Sequence, residues 1–183
     1  LTENMRSDQL LFDYFTGIWH MTLEQALAKG RHDFPCTDQP ANFTLVISHD
    51  QRKKINRERN LQQRPKDAIF LRAPKVTAHG NAPQSMFIWK GQLLIGAGGK
   101  LIKKGVFYEV ESCDNESVSL TTGEALSHEE AVRCLRLCSA ITYASAQGLT
   151  LPGIVRLEST SCKHFGLRHL YVGASRCTSY LLL

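Results

Sequence analysis

Two stretches near the end of the chain hold residues that could do chemistry. Ala140-Ile141-Thr142-Tyr143-Ala144-Ser145-Ala146-Gln147-Gly148-Leu149-Thr150-Leu151 is a run of small and hydroxyl residues that ends in Gln147-Gly148 and re-enters an apolar segment. Further on, His169-Leu170-Tyr171-Val172-Gly173-Ala174-Ser175-Arg176 places an aromatic-valine pair before Ala-Ser-Arg. Small residues let a phosphate approach the main chain closely, and hydroxyls and amides supply donors to it. An arginine fixed on a short packed segment, as Arg176 would be, neutralises charge that develops on the γ-phosphate of a nucleoside triphosphate. Arg6, in Asn4-Met5-Arg6-Ser7, reads by itself as a surface arginine near a helix start.

Other chemistries lack their residues. Gly96-Ala97-Gly98-Gly99-Lys100 looks like a phosphate loop, but a P-loop needs glycine where Leu94 stands and Ser or Thr where Leu101 stands. It reads as a hairpin turn. The seven histidines show no H-x-x-x-H or H-E-x-x-H spacing, and no G-x-S-x-G elbow is present. The six cysteines form no C-x-x-C pair, which excludes a zinc ribbon or a thioredoxin-like site. Cys134 and Cys138 would share one helix face as small buried residues, with all thiols reduced in an intracellular protein.

The chain of 183 residues suffices for one substantial core, or for one domain with a small insertion. No apolar run is long enough to span a bilayer, and no signal peptide is seen. The expected location is the nucleus or cytoplasm, with no membrane partner and no secretion. A start at Leu1 suggests a piece of a longer protein. The net charge of +5 favours polyanionic partners.

The elements that must position these residues follow from periodicity. Helices are expected over Ser7 to Phe15, Ile18 to Leu27 (stopped by Gly30), from Asp50 to about Asn60, and over Leu167 to Ser175. Phe43-Thr44-Leu45-Val46-Ile47-Ser48 reads as a buried parallel strand. Ser48 and His49 then stand at a strand's carboxyl end, where open α/β sheets gather ligand contacts. They read either as contacts to a nucleic-acid backbone or as an N-cap and a loop histidine. Gln51 to Lys66 is dense in cations, Lys53 among them, and could track phosphates or form a solvated face. From Leu61 to about Leu126 the pattern turns strand-like, with segments at Ser85–Trp89, Gln92–Ile95, Val106–Val110 and Ser117–Leu120. Ser127 and Glu130 form a capping box for a helix that includes Val132, Leu135 and Cys138. Gly153–Leu157 and Tyr180–Leu183 are further strands.

Asn4-Met5-Arg6-Ser7, Thr142 through Gly148, and Val172-Gly173-Ala174-Ser175-Arg176 resemble, in this order, motifs IV, V and VI of superfamily 1 helicases. The likeness covers nearly the whole chain and is strongest to the RecD-like and Pif-type branch. The pattern from Trp89-x-Gly91-x-x-Leu94 to Lys104-Gly105-x-x-Tyr108-x-Val110 resembles the SH3-like subdomain that these helicases insert at this place. The resemblance implies an α/β fold: a RecA-like parallel sheet with helices on both faces, interrupted by a small SH3-like β-barrel. Residues 1–60 and 127–183 would form the second RecA-like domain (2A), and 61–126 the insertion (2B).

It also implies an ATP-dependent DNA helicase that moves 5′ to 3′ on single-stranded DNA in replication or repair. Arg6 and Arg176 would reach the γ-phosphate of ATP, which an N-terminal RecA-like domain of the same protein holds together with Mg2+. Gln147 and Gly148 would serve the nucleotide, and Thr142, Ser48, His49 and Lys53 the DNA backbone. Replication or repair proteins would be further partners. The family usually shows Thr-Ile-His-Lys-Ser-Gln-Gly at motif V. Here the histidine and lysine are replaced by Ala144 and Ser145. Motif VI has Gly173 and Ala174 where the branch has Ala and Leu. With no Walker A or B motif, the chain alone is expected to be inactive. Two other readings are a nucleic-acid-binding module without chemistry and a fragment of an RNA helicase.

Overall fold

The computed structural model describes residues 7–74 and 83–183; Asn4, Met5 and Arg6, with the role expected of Arg6, lie outside the described residues. In chain order the elements are α1 (Gln9–Gly17), a 3-10 turn (Ile18–His20), α2 (Leu23–Asp33), β1 (Phe43–Val46), α3 (His49–Gln63), β2 (Ile69–Leu71), β3 (Met86–Ile88) and β4 (Leu93–Gly96). They continue with β5 (Phe107–Cys113), β6 (Ser117–Leu120), β7 (Ala125–Ser127), α4 (His128–Cys134), β8 (Leu135–Leu137), β9 (Ala140–Thr142), β10 (Ile154–Leu157), α5 (Leu167–Ala174) and β11 (Tyr180–Leu182). The chain divides into two compact units, Leu1–Arg52 with Ala140–Leu183, and Lys53–Ser139.

The first unit is built on a four-stranded parallel sheet, ordered β11-β10-β1-β9. All four β1 residues are buried, as a strand covered on both faces requires. Leu45 stands level with Leu157 on one side and Ile141 on the other. Helices flank this sheet, so the fold is α/β with a parallel sheet. Asp8 starts α1 by accepting the Leu11 N–H at 2.8 Å. Leu11, Tyr14 and Phe15 of α1 and Leu170 of α5 are buried. A Cβ on Gly173 would collide with the Leu157 side chain, so the glycine lets α5 lie close to β10.

The helix expected over Ile18 to Leu27 is broken. After the 3-10 turn Met21 is extended, and Thr22 opens a new helix with a capping box. Its hydroxyl accepts the Gln25 N–H at 3.2 Å, and the Gln25 side chain accepts the Thr22 N–H at 2.9 Å. Gly30 does not end this helix. It lies buried within α2, where a Cβ would run into Tyr14 and Leu183, and the helix continues to Asp33.

The second unit holds a five-stranded antiparallel sheet, β7-β6-β5-β4-β8, and a separate antiparallel pair, β2-β3. Leu71, Met86 and Ile88 of the pair share one core with Leu94, Tyr108, Leu120 and Leu135. This unit extends beyond residues 61–126 at both ends. The Gly96–Lys100 run connects β4 to β5, with the Gly105 N–H donating to the Gly96 carbonyl at 2.9 Å. The Ser127–Glu130 capping box forms, but α4 closes at Cys134. Leu135–Leu137 pairs instead with β4, with both leucines buried and Arg136 less so. Cys134 and Cys138 therefore do not share a helix face. The Cys138 thiol lies 3.2 Å from the Leu93 carbonyl, and burial pushes its pKa up to about 12.

The buried side of α3 is polar. Arg52, Asn56 and Asn60, four residues apart, are all buried. Arg52 is thus not part of a cationic surface, contrary to the phosphate-tracking or solvated face expected of this segment. Asn56 donates to the Leu137 carbonyl at 3.1 Å. Asn60 donates to the Phe87 carbonyl at 2.9 Å and accepts the Phe87 N–H at 2.8 Å. Within this unit the helix is held to β3 by hydrogen bonds where apolar contact would be usual. Asn60→Ala strands the Phe87 N–H, while the Phe87 carbonyl keeps the Gln92 side-chain amide at 3.2 Å, and is expected to cost about 1–3 kcal/mol, seen as a lower urea midpoint. A loss below about 0.5 kcal/mol, as at an ordinary surface site, would contradict this clamp.

Candidate nucleotide and nucleic-acid interface

β1 and β9 are neighbours and parallel, so the turns that follow them leave the sheet at the same, carboxyl edge. Ser48 is exposed there and caps α3: its hydroxyl accepts the Gln51 N–H at 3.2 Å, and its carbonyl accepts the Arg52 N–H at 3.1 Å. His49 follows as the first residue of α3 and is half-buried. The amides of a helix's first turn and its dipole make such an edge favourable for an anion. Across the same edge, Ser159 donates to the Gln51 side chain at 2.8 Å, which ties the turn after β10 to the start of α3.

Thr142, the last residue of β9, points into its own turn. Its hydroxyl donates to the Ser145 hydroxyl at 2.9 Å and accepts the Ser145 N–H at 3.2 Å. The residue is 3% exposed. The hydroxyl that this turn presents outward is Ser145, with Ala144 beside it. The motif points to Thr142 by position, and no local signal in the sequence distinguishes the inward hydroxyl from the outward one. Tyr143, between them, is a structural post. Its hydroxyl donates to the Glu158 carbonyl at 3.1 Å, its ring meets Phe165 edge-on, and burial raises its pKa.

Gln147 and Gly148 are exposed. Gly148 has φ +85, a left-handed conformation that disfavours any side chain. The chain then turns back, and the Leu151 N–H donates to the Arg176 carbonyl at 2.8 Å, in a parallel bridge of Leu151 with Cys177. Leu151 and Cys177 precede the paired residues Ile154 and Tyr180, so this junction lies at the amino edge of the sheet. The segment after Gln147-Gly148 and the arginine are thereby joined, at the end opposite Ser48 and Thr142.

Arg176 is fixed from both directions. Its N–H donates to the Gly173 carbonyl at 3.2 Å in the last turn of α5, and Cys177 next to it is fully buried. Its Nε and Nη2 lie 3.4 and 3.2 Å from the Ser175 hydroxyl. The half-buried guanidinium is thus held beside a buried serine, to which the motif by itself assigns no role. Lys53 belongs to the second unit, where its carbonyl accepts from Gln84 at 2.8 Å.

The first unit offers an arginine with a held backbone and a left-handed glycine turn. Among the described residues no group of three His, Cys, Asp or Glu side chains could hold a metal ion.

No protein-family model and no curated protein matches the chain. Solved structures do match it. The Pif1 helicase from Candida albicans aligns with a TM-score of 0.64 at 15% identity, over 98% of this chain and 55% of that one. Bacteroides Pif1 bound to single-stranded DNA aligns with a TM-score of 0.59 at 17% identity, over 96% of this chain and 49% of that one. A structure of two coordinating Pif1 helicases at forked duplex DNA gives 0.58 at 17% identity, over 96% of this chain and 47% of that one. The chain spans about half the length of the solved structures it matches. At these identities the likeness is one of fold: the chain is folded like part of a Pif1 helicase.

Proposed function

We propose that the chain is the second motor domain of an ATP-dependent DNA helicase. The observation that carries this reading is the junction of Leu151, three residues after Gly148, with Arg176 on a sheet folded like part of a Pif1 helicase. ATP and Mg2+ are held mainly by an N-terminal RecA-like domain of the same protein, where the metal offsets phosphate charge. Arg176 approaches the γ-phosphate from across the domain interface, with Arg6 as the second arginine. Its planar guanidinium meets the spread charge bidentately, which a lysine cannot do. An arginine supplied across an interface makes hydrolysis depend on domain closure.

At the opposite edge, Ser48, His49 and the Thr142 turn hold the backbone of single-stranded DNA; Lys53, in the second unit, is a further cation for the strand. Hydroxyls and amides grip phosphates without reading bases, as a translocating motor requires. Gly148 lies in the loop that runs from one edge to the other and links nucleotide state to strand grip. In this reading the first unit is domain 2A, and the second is the SH3-like 2B insertion. Movement is 5′ to 3′ by resemblance to the Pif-type branch. The protein works inside the cell in DNA replication or repair, beside proteins of those processes.

In the protein extended through its N-terminal domain, Arg176→Ala is expected to lower single-strand-stimulated ATP hydrolysis about 10³-fold or more and to leave DNA binding within about two-fold. Equal loss of hydrolysis and binding would contradict the assignment. Arg176→Lys should recover little of the rate, since the charge is kept but the fork is lost. The 183-residue chain by itself is expected to show no hydrolysis above background in a phosphate-release assay.

A further inference from the structure

We propose that the second unit carries its own docking groove for single-stranded nucleic acid, between α3 and the β2-β3 pair. The groove encloses about 740 Å³, within the range of sites that take a nucleotide-sized ligand. Lys53, Lys54 and Arg57 of α3 line one side, and Phe70 and Phe87 the other. The two phenylalanines are cross-strand partners with ring centroids 5.0 Å apart, tilted by 48°. Phe70 is 52% exposed, a large apolar ring left open beside a row of cations. The Arg64 guanidinium lies 4.3 Å from the centre of the Phe87 ring, so a planar cation already covers that ring and Phe70 is the open one of the pair.

Glu58 also lines the groove, leaving three cations against one acid. Sequence-independent binding of single strands uses this combination, with bases stacked on aromatic faces and phosphates tracked by cations. A duplex hides its base faces within the stack. An acidic peptide would use the lysines but would not need a planar ring beside them. The choice of ligand rests on the proposed motor reading; the groove does not.

The test is binding of a fluorescein-labelled oligothymidine to the 183-residue chain, by anisotropy across a salt series. Phe70→Ala is expected to weaken binding about 10-fold, while Phe70→Trp keeps it, because stacking is what the ring supplies. Lys54→Ala with Arg57→Ala should reduce the slope of log affinity against log salt by roughly 1.4, about 0.7 for each phosphate that is no longer neutralised. All three residues are exposed, so the variants keep the fold. Wild-type affinity in both Phe70→Ala and the double variant would overturn the groove and leave the motor reading standing. Absence of oligothymidine binding by the wild-type chain would overturn it as well, while ATP hydrolysis with Arg176→Ala decides the motor reading separately. An acidic amphipathic peptide that binds instead, and is lost in Phe70→Ala, would overturn it in favour of a protein partner.

Discussion

The double pairing of β1 is the constraint on which the first unit depends. Phe43–Val46 is hydrogen-bonded on one side to β10 and on the other to β9, both parallel. Thr44 therefore stands level with Ala140 and Arg156, although the chain between Thr44 and Ala140 includes an entire second unit with its own core. The entropy of closing a loop grows only logarithmically with its length, and an inserted segment that folds on its own core offsets its own ordering. A four-residue buried strand can thus serve as the common member of a sheet whose other strands come from far along the sequence. Because the pairings are parallel, every turn after a strand leaves from the same edge, and this gathers Ser48 and the Thr142 turn.

The same sheet separates two kinds of contact by its length. One edge offers hydroxyls and the first turn of α3. The other holds Arg176, clamped between the last turn of α5 and the Leu151–Cys177 bridge. With the Arg176 backbone already fixed, only its side-chain rotamers remain to be ordered when the guanidinium meets a ligand. The loop through Gly148 joins the two edges covalently, which gives a short physical route by which events at one could be felt at the other. Close packing of α5 on β10 at Gly173 makes that frame stiff. The same contact gives a physical reason for glycine here, where the Pif-type branch carries alanine.

Much of this is legible in the residues. The apolar run of β1 announces a buried parallel strand, and Ser127 with Glu130 announces the start of α4. What is not legible depends on partners distant in sequence. Val132, Leu135 and Cys138 have helical spacing, yet Leu135–Leu137 is a strand because β4 offers an edge to pair with. The Thr22–Gln25 capping box is by contrast a local signal, open to reading, that outweighs the apolar spacing across Ile18 to Leu27. Asn56 and Asn60 look like ordinary polar helix residues, and only the carbonyls of Leu137 and Phe87 make them a buried clamp. For the candidate site, motif order names Gln147, Gly148 and Arg176, and the structure leaves Gln147 and Gly148 exposed and Arg176 half-buried. The inward turn of the Thr142 hydroxyl cannot be read from the sequence, because it is decided by the geometry of the following turn.

The central claim is that this chain completes a nucleotide site that another domain begins. Its most direct test is to add the 183-residue chain to the separately produced N-terminal RecA-like domain of the same protein and follow ATP hydrolysis with single-stranded DNA present. The account predicts hydrolysis that rises with added chain and saturates, and that stays at background when the added chain carries Arg176→Ala. Hydrolysis by the N-terminal domain that is indifferent to the chain, or restored equally by the Arg176→Ala chain, would contradict it.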